Sequence, residues 1–237
     1  MLKEVSSLKV VIKIGGHVFA SELNSNLVKE YSKLLKKLRR NGHKISVVVG
    51  GGEEARKYIR VARVVGGSEF VCDLLGIEVS RLNARILIAG LGEEAYPEPP
   101  RSLEDLRKAF ETDKIVVSGG FQPGQSTNAV GILVAEAIGA DLFINATDVD
   151  GVYTSDPKEN PNARKLDVID TDELLTLTSN ERLEAGSYAL FDLVAIKIVE
   201  RSGIQTRIVD GRKAVNIERA IRGEAVGTLI KPSRLKK

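Results

Sequence analysis

Short apolar runs that stop at glycines alternate along this chain with longer stretches in which apolar positions recur every three or four residues. The runs are Lys9–Ile14 (KVVIKI) before Gly15 and Gly16, Lys44–Val49 (KISVVV) before Gly50 to Gly52, 114–118 (KIVVS) before Gly119 and Gly120, and 142–146 (LFINA) before TDVDG. Their length, their β-branched content and the glycines behind them predict four strands. Between the first two, Leu27, Val28, Tyr31, Leu34, Leu35 and Leu38 repeat at helical spacing, and Gly42 stands where such a helix stops. The same periodicity predicts helices over 53–65, Glu69–Leu91, Thr127–Ile138, Thr171–Thr178 and 193–201. Strands alternating with helices imply a mostly parallel, twisted sheet covered on both faces, an α/β three-layer αβα sandwich. Ligands of such sheets sit beyond the carboxyl ends of the strands, where these glycines cluster.

A length of 237 residues with 43% hydrophobic content suits one domain, 1–237, and no repeat or linker divides it. Two turns punctuate it, a proline-rich one at 96–102 and another at 156–161. No apolar run reaches about 18 residues, and the start MLKEVSSLKVVIKIGG lacks a signal-peptide pattern, so a soluble, cytoplasmic protein without a membrane partner is expected. Cys72 is the sole cysteine, which excludes an intrachain disulfide and leaves a small core residue as its expected role. Lysine and arginine exceed aspartate and glutamate by 35 − 32 = +3. That excess is compatible with anionic substrates but too diffuse for a nucleic-acid binder. His43, just past a helix end, is expected at the surface.

Four loops carry the chemistry. In KIGGH, the glycines let backbone N–H groups approach a phosphate and Lys13 can point its charge at the same oxygens, although a plain turn reads the same way. VGGGEEAR opens a helix, whose N-terminal amides form an anion site, with Arg56 one turn inside it or in solvent. GGFQPGQST, 119–127, has the glycine spacing and the hydroxyl of the P-loop pattern, but Gln125 stands where the lysine belongs and the loop follows a later strand. The P-loop reading therefore fails; Thr127 is expected to cap the next helix, so that its hydroxyl and that of Ser126 converge on an anion. TDVDGVYTSDP places Asp148, Asp150 and Glu159 at calcium-loop spacing, but Val152 and Tyr153 fall where an oxygen ligand and glycine are required, which excludes calcium.

The four loops in this order, with DLLGI at 73–77 and AIKIVERSGI at 195–204, resemble the amino acid kinase superfamily, and within it the archaeal-type UMP kinases, over 9–229. The resemblance implies an enzyme that phosphorylates UMP to UDP with ATP by direct in-line transfer. The alternatives are another kinase of the superfamily or a nucleotide-binding storage or regulatory protein on the same fold. It implies a division into a mainly acceptor-binding part, about 1–140, and a mainly ATP-binding part, about 141–237. Lys13 and Lys197 are then the catalytic candidates. Gly15, Gly16, His17, Gly52, Arg56, Thr147, Asp148, Tyr153 and Asp156 lie on the ATP side. Gly51, Asp73, Phe121, Gln122, Pro123, Gly124, Gln125, Ser126 and Thr127 lie on the UMP side. The chain departs from the family's usual residues at Asp148, often asparagine, and at His17, more usually serine or lysine. Mg²⁺ is expected to arrive with ATP rather than in a protein site, UTP to inhibit, and the chain to form a homohexamer.

Overall fold

In the computed structural model, residues 7–19, 25–155, 160–178 and 191–233 are described. The elements run β1 (Lys9–Ile14), a 3-10 turn (Gly16–Phe19), α1 (Ser25–Arg40), β2 (Lys44–Val49), α2 (Gly52–Val64), α3 (Glu69–Leu91), α4 (Leu103–Phe110), β3 (Val116–Ser118), α5 (Thr127–Ile138) and β4 (Leu142–Thr147). There follow β5 (Val152–Tyr153), β6 (Lys165–Leu166), β7 (Val168–Asp170), α6 (Thr171–Thr178), α7 (Leu193–Ser202), β8 (Gln205–Asp210), α8 (Val215–Ile221) and β9 (Thr228–Lys231). The main sheet has the order β3-β2-β1-β4-β8-β9-β7. Its first five strands are parallel, β9 runs antiparallel to β8, and β7 is parallel to β9.

Alternation along β1 builds both cores. Val10, Ile12 and Ile14 face the layer formed by α1, α3 and α8, whereas Val11 packs with Val48, Val116, Phe143 and the helices α4, α5, α6 and α7. Each fully buried aliphatic side chain in these layers contributes about 1.5–3 kcal/mol relative to exposure. The amphipathic stripe of α1 supplies Val28, Tyr31, Leu34, Leu35 and Leu38 to the first core, and Gly42 turns the chain back at φ 90°. A third, small cluster joins α2 to α3 through Ile59, Ala62 and Cys72, which places the cysteine in a core as expected.

The three-layer α/β architecture follows the sequence pattern, with differences at the edges. The third strand starts at Val116, and Ile115 contributes only a single bridge to Ala95. His43 is not at the surface: it is 5% exposed, and its Nδ1 accepts the Leu8 amide at 3.3 Å. The turn at Gly42 folds the ring over the start of β1, and burial lowers its pKa. Part of the turn at 156–161 lies outside the described residues.

Candidate functional site

The strand order reverses around β1. From it the chain steps outward through β2 to β3 on one side, while β4 and β8 lie on the other. A crevice therefore opens beyond the carboxyl ends of β1 and β4. Lys13 stands there, in register with Val48 on β2 and Asn145 on β4. Because it alternates with Ile12 and Ile14, it projects to the α5 side of the sheet, where Gly131 lets the helix approach: a Cβ there would lie 3.4 Å from that of Lys13.

Lys13 is 6% exposed. Burial pulls its pKa down to about 8, against the opposing fields of Asp148 and Asp192. His17, in the 3-10 turn, is pushed down as well, by burial first and by the Lys13 charge second. Its Nε2 is buried and has no hydrogen-bond partner among the described residues.

Two glycine loops close the floor. The Gly15 amide donates to the Ala146 carbonyl at 2.8 Å and the Gly50 amide to the Ile14 carbonyl at 3.0 Å, so both loops leave the sheet in fixed register. Gly16 and Gly52 then touch backbone to backbone: a Cβ on Gly16 would lie 2.1 Å from the Gly52 Cα, and Gly52 itself has φ 70°. Gly51 caps α2 without a side chain, which leaves the first amides of that helix open to an anion. The side chain of Arg56 is directed to Glu53, with Nε–Oε2 at 2.9 Å.

The 119–127 loop is held by α3. The Gly124 amide donates to Asp73 Oδ2 at 2.8 Å, and the Gly120 amide to Ser80 Oγ at 2.8 Å. Arg81 donates to the carbonyls of Gly120 and Phe121 at 3.2 and 3.3 Å. Asn83, 4% exposed, reaches the other loop and donates to the Gly50 carbonyl at 2.9 Å. Phe121 packs part-buried against the α5 core, Pro123 and Gln125 are half-buried, and Gln122 is exposed. The cap of α5 is Ser126, not Thr127 as the sequence suggests: Ser126 Oγ accepts from Asn128 N and Ala129 N, because its backbone is extended while Thr127 already lies in the helix. The hydroxyl proton of Ser126 goes to Asp192, and Thr127 sits beside Gly50.

On the far side Thr147 is buried at the end of β4 and donates to Asp148 at 3.2 Å, while Tyr153 donates to Asp150 at 2.8 Å, a bond that raises the phenol pKa. Asp156 lies outside the described residues. Lys197 is turned to solvent on α7 and pairs with Glu200 at 3.0 Å, so it is not brought to Lys13; the apolar face of α7 is the one that packs inward. Asp192, Ser80, Arg81 and Asn83 were missed by sequence reasoning. Polar residues at 73, 80 and 83 recur on one face of the long helical stretch, a signal that was available for α3. No group of three or more metal-ligating side chains occurs among the described residues.

A family model described as the amino acid kinase family matches residues 9–210. The uridylate kinase of Hyperthermus butylicus is 49% identical over 221 residues, covering 93% of this chain and 97% of that protein. That of Methanococcoides burtonii is 46% identical over 219 residues, covering 92% and 93%. The crystal structure of uridylate kinase from Archaeoglobus fulgidus superposes with a TM-score of 0.85 at 40% identity, covering 94% of this chain and all of that one.

Proposed function

The chain belongs to the amino acid kinase family, and within it we infer that the chain acts as a uridylate kinase, transferring the γ-phosphoryl group of ATP to UMP. The observation that carries this reading is that three built loops meet, with Gly16 against Gly52 and Thr127 beside Gly50. One, 119–127, is fixed on α3 through Asp73, Ser80 and Arg81; the other pair, at Gly15–Gly16 and Gly50–Gly52, opens amides toward anions beside Lys13.

UMP already bears an oxyanion, so its attack on phosphorus needs no strong general base. Catalysis is then positioning plus neutralisation of charge between two polyanions. Lys13 supplies the charge where the transferring group passes. Gly15, Gly16, His17, Gly52, Thr147, Asp148 and Tyr153 border the ATP side, and Asp156, outside the described residues, is assigned to it by family resemblance. Arg56 joins them only by leaving Glu53, and Lys197 assists only by leaving Glu200. Gly51, Asp73 and the 121–127 segment hold UMP, with Asp73 on the ribose hydroxyls. The acceptor half, about 1–140, and the ATP half, about 141–237, share one domain. ATP enters as its magnesium complex, so the metal belongs to the substrate.

UTP presents the same base and ribose as UMP and extends its extra phosphates toward Gly15, Gly16 and Lys13, which makes it an inhibitor at the acceptor site. A homohexamer is part of the proposal. Exposed Tyr58, Val61, Val64 and Val65 on and just after α2, with Phe70, Val71 and Leu74 on α3, form an apolar face suited to a subunit contact. No described helix is long and apolar enough to cross a membrane, and the proposed location is the cytoplasm. Chromatography of products after incubation with MgATP tests the reading. UDP forms from UMP, and acetylglutamate, aspartate and carbamate are not phosphorylated; turnover of any of these at the UMP rate overturns it.

A further inference from the structure

Asp192 precedes α7 and is 7% exposed. Its Oδ1 accepts the Ala195 amide at 3.0 Å and caps α7, while its Oδ2 accepts the hydroxyl proton of Ser126. Ser126 in turn accepts from the first amides of α5 at 3.1 and 3.0 Å. One buried carboxylate therefore faces two helix N-termini, a hydroxyl and an amide, the surroundings that a desolvated anion requires. Burial lowers the Lys13 pKa, and Asp192 is, with Asp148, one of the two carboxylates that oppose that shift. The stretch 119–127 and the N-terminus of α7 thus meet at a single side chain.

We propose that Asp192 is a positioning residue of the phosphoryl-transfer site: it holds Ser126 of the acceptor loop against α7 and directs its charge at Lys13, without touching either nucleotide. The inference rests on the uridylate kinase reading. The titratable groups facing Lys13 are Asp148 after β4, Asp192 before α7 and His17 in the 3-10 turn. The neighbouring β2, β4 and α5 bring Val48, Asn145 and Gly131 to it. A cap alone would need only the oxygen; a positioning role needs the charge as well.

The pH profile of kcat/KM for MgATP, measured at saturating UMP, separates the two. Asp192→Asn keeps an oxygen for the Ala195 amide and removes the charge, so the basic limb moves to lower pH by about half a unit or more. Ser126→Ala cuts the hydroxyl link and raises the KM for UMP severalfold with the limb in place. If Asp192→Asn does not fold by circular dichroism, Asp192→Glu carries the test: the limb stays at its wild-type position while the KM for UMP rises. A folded Asp192→Asn with an unmoved limb overturns the proposal, as does a displaced limb in Asp192→Glu. Absence of UDP formation by the wild-type chain would instead remove the uridylate kinase reading itself.

Discussion

The backbone amide of Gly124 donates to the carboxylate of Asp73 at 2.8 Å, which ties the tip of the 119–127 loop to α3. The loop is thereby held in place by a side chain whose other oxygen is, in the proposed acceptor site, offered to a ribose hydroxyl. Asp73→Ala removes the Gly124 contact and, in the proposed site, the ribose contact with it. A hydrogen bond to a charged group is worth about 1.5–3 kcal/mol, so the KM for UMP should rise roughly 10- to 100-fold, as measured by initial rates at saturating ATP. The Gly124 end of the contact is exposed, and the melting temperature should change little. An unaltered KM would remove Asp73 from the acceptor site.

The buried Lys13 is costly to the fold, and the proposed function makes it useful to the chemistry. Its pKa falls from 10.5 to about 8, chiefly because burial disfavours the charged form. The unfolded chain therefore binds more protons between those values, and stability rises as pH increases through that window. Below it, the charged buried amine costs about 3 kcal/mol. Lys13→Met should accordingly be more stable than wild type at pH 7 by up to that amount, with the gap closing toward pH 10.5, as read from urea denaturation. Activity runs the other way. Lys13→Ala should lower kcat by about 10²–10³, the usual effect of removing one electrostatic contact to a transition state, while retaining the wild-type circular dichroism spectrum. A variant with near-normal kcat would deny Lys13 its role.

Gly16 and Gly52 leave no room for a methyl group between their backbones. Gly16→Ala would set a Cβ 2.1 Å from the Gly52 Cα, where no flexible side chain can yield. The two loops must separate, at a cost of about 1–3 kcal/mol and with a higher KM for ATP. Unfolding midpoints and initial rates should show both losses together; an unperturbed variant would mean that the loops are not in contact.

How far the sequence discloses this site depends on the physics of each part. The four strands that end at glycines and the helices between them are legible because one periodicity governs each. Lys13 and the glycine loops are legible only in combination, because one glycine pair after a strand reads equally as a plain turn while four such loops in a fixed order do not. The strand β8 is less so: QTRIVD mixes Thr206 and a buried Arg207 into its pattern, and tertiary pairing with β4 decides it. Arg207 donates to the Val226 carbonyl, a partner that no local pattern announces. Asp192, which the sequence reading passes over, caps α7; its second bond, to Ser126, spans 66 positions and exists only in the fold. Arg56 and Lys197 show the reverse, since their types suit phosphate binding while the structure turns them to Glu53 and Glu200.

In the proposed acceptor site a uridine nucleotide is held by Asp73 together with the 119–127 loop, with its phosphates pointing to Gly15, Gly16 and Lys13. Initial rates against UMP at several UTP concentrations and fixed MgATP test it most directly. The apparent KM for UMP should rise with UTP while kcat stays constant, and in an Asp73→Ala variant UMP and UTP should weaken together. A purely noncompetitive pattern toward UMP, or an Asp73→Ala variant that weakens UMP alone, would contradict it.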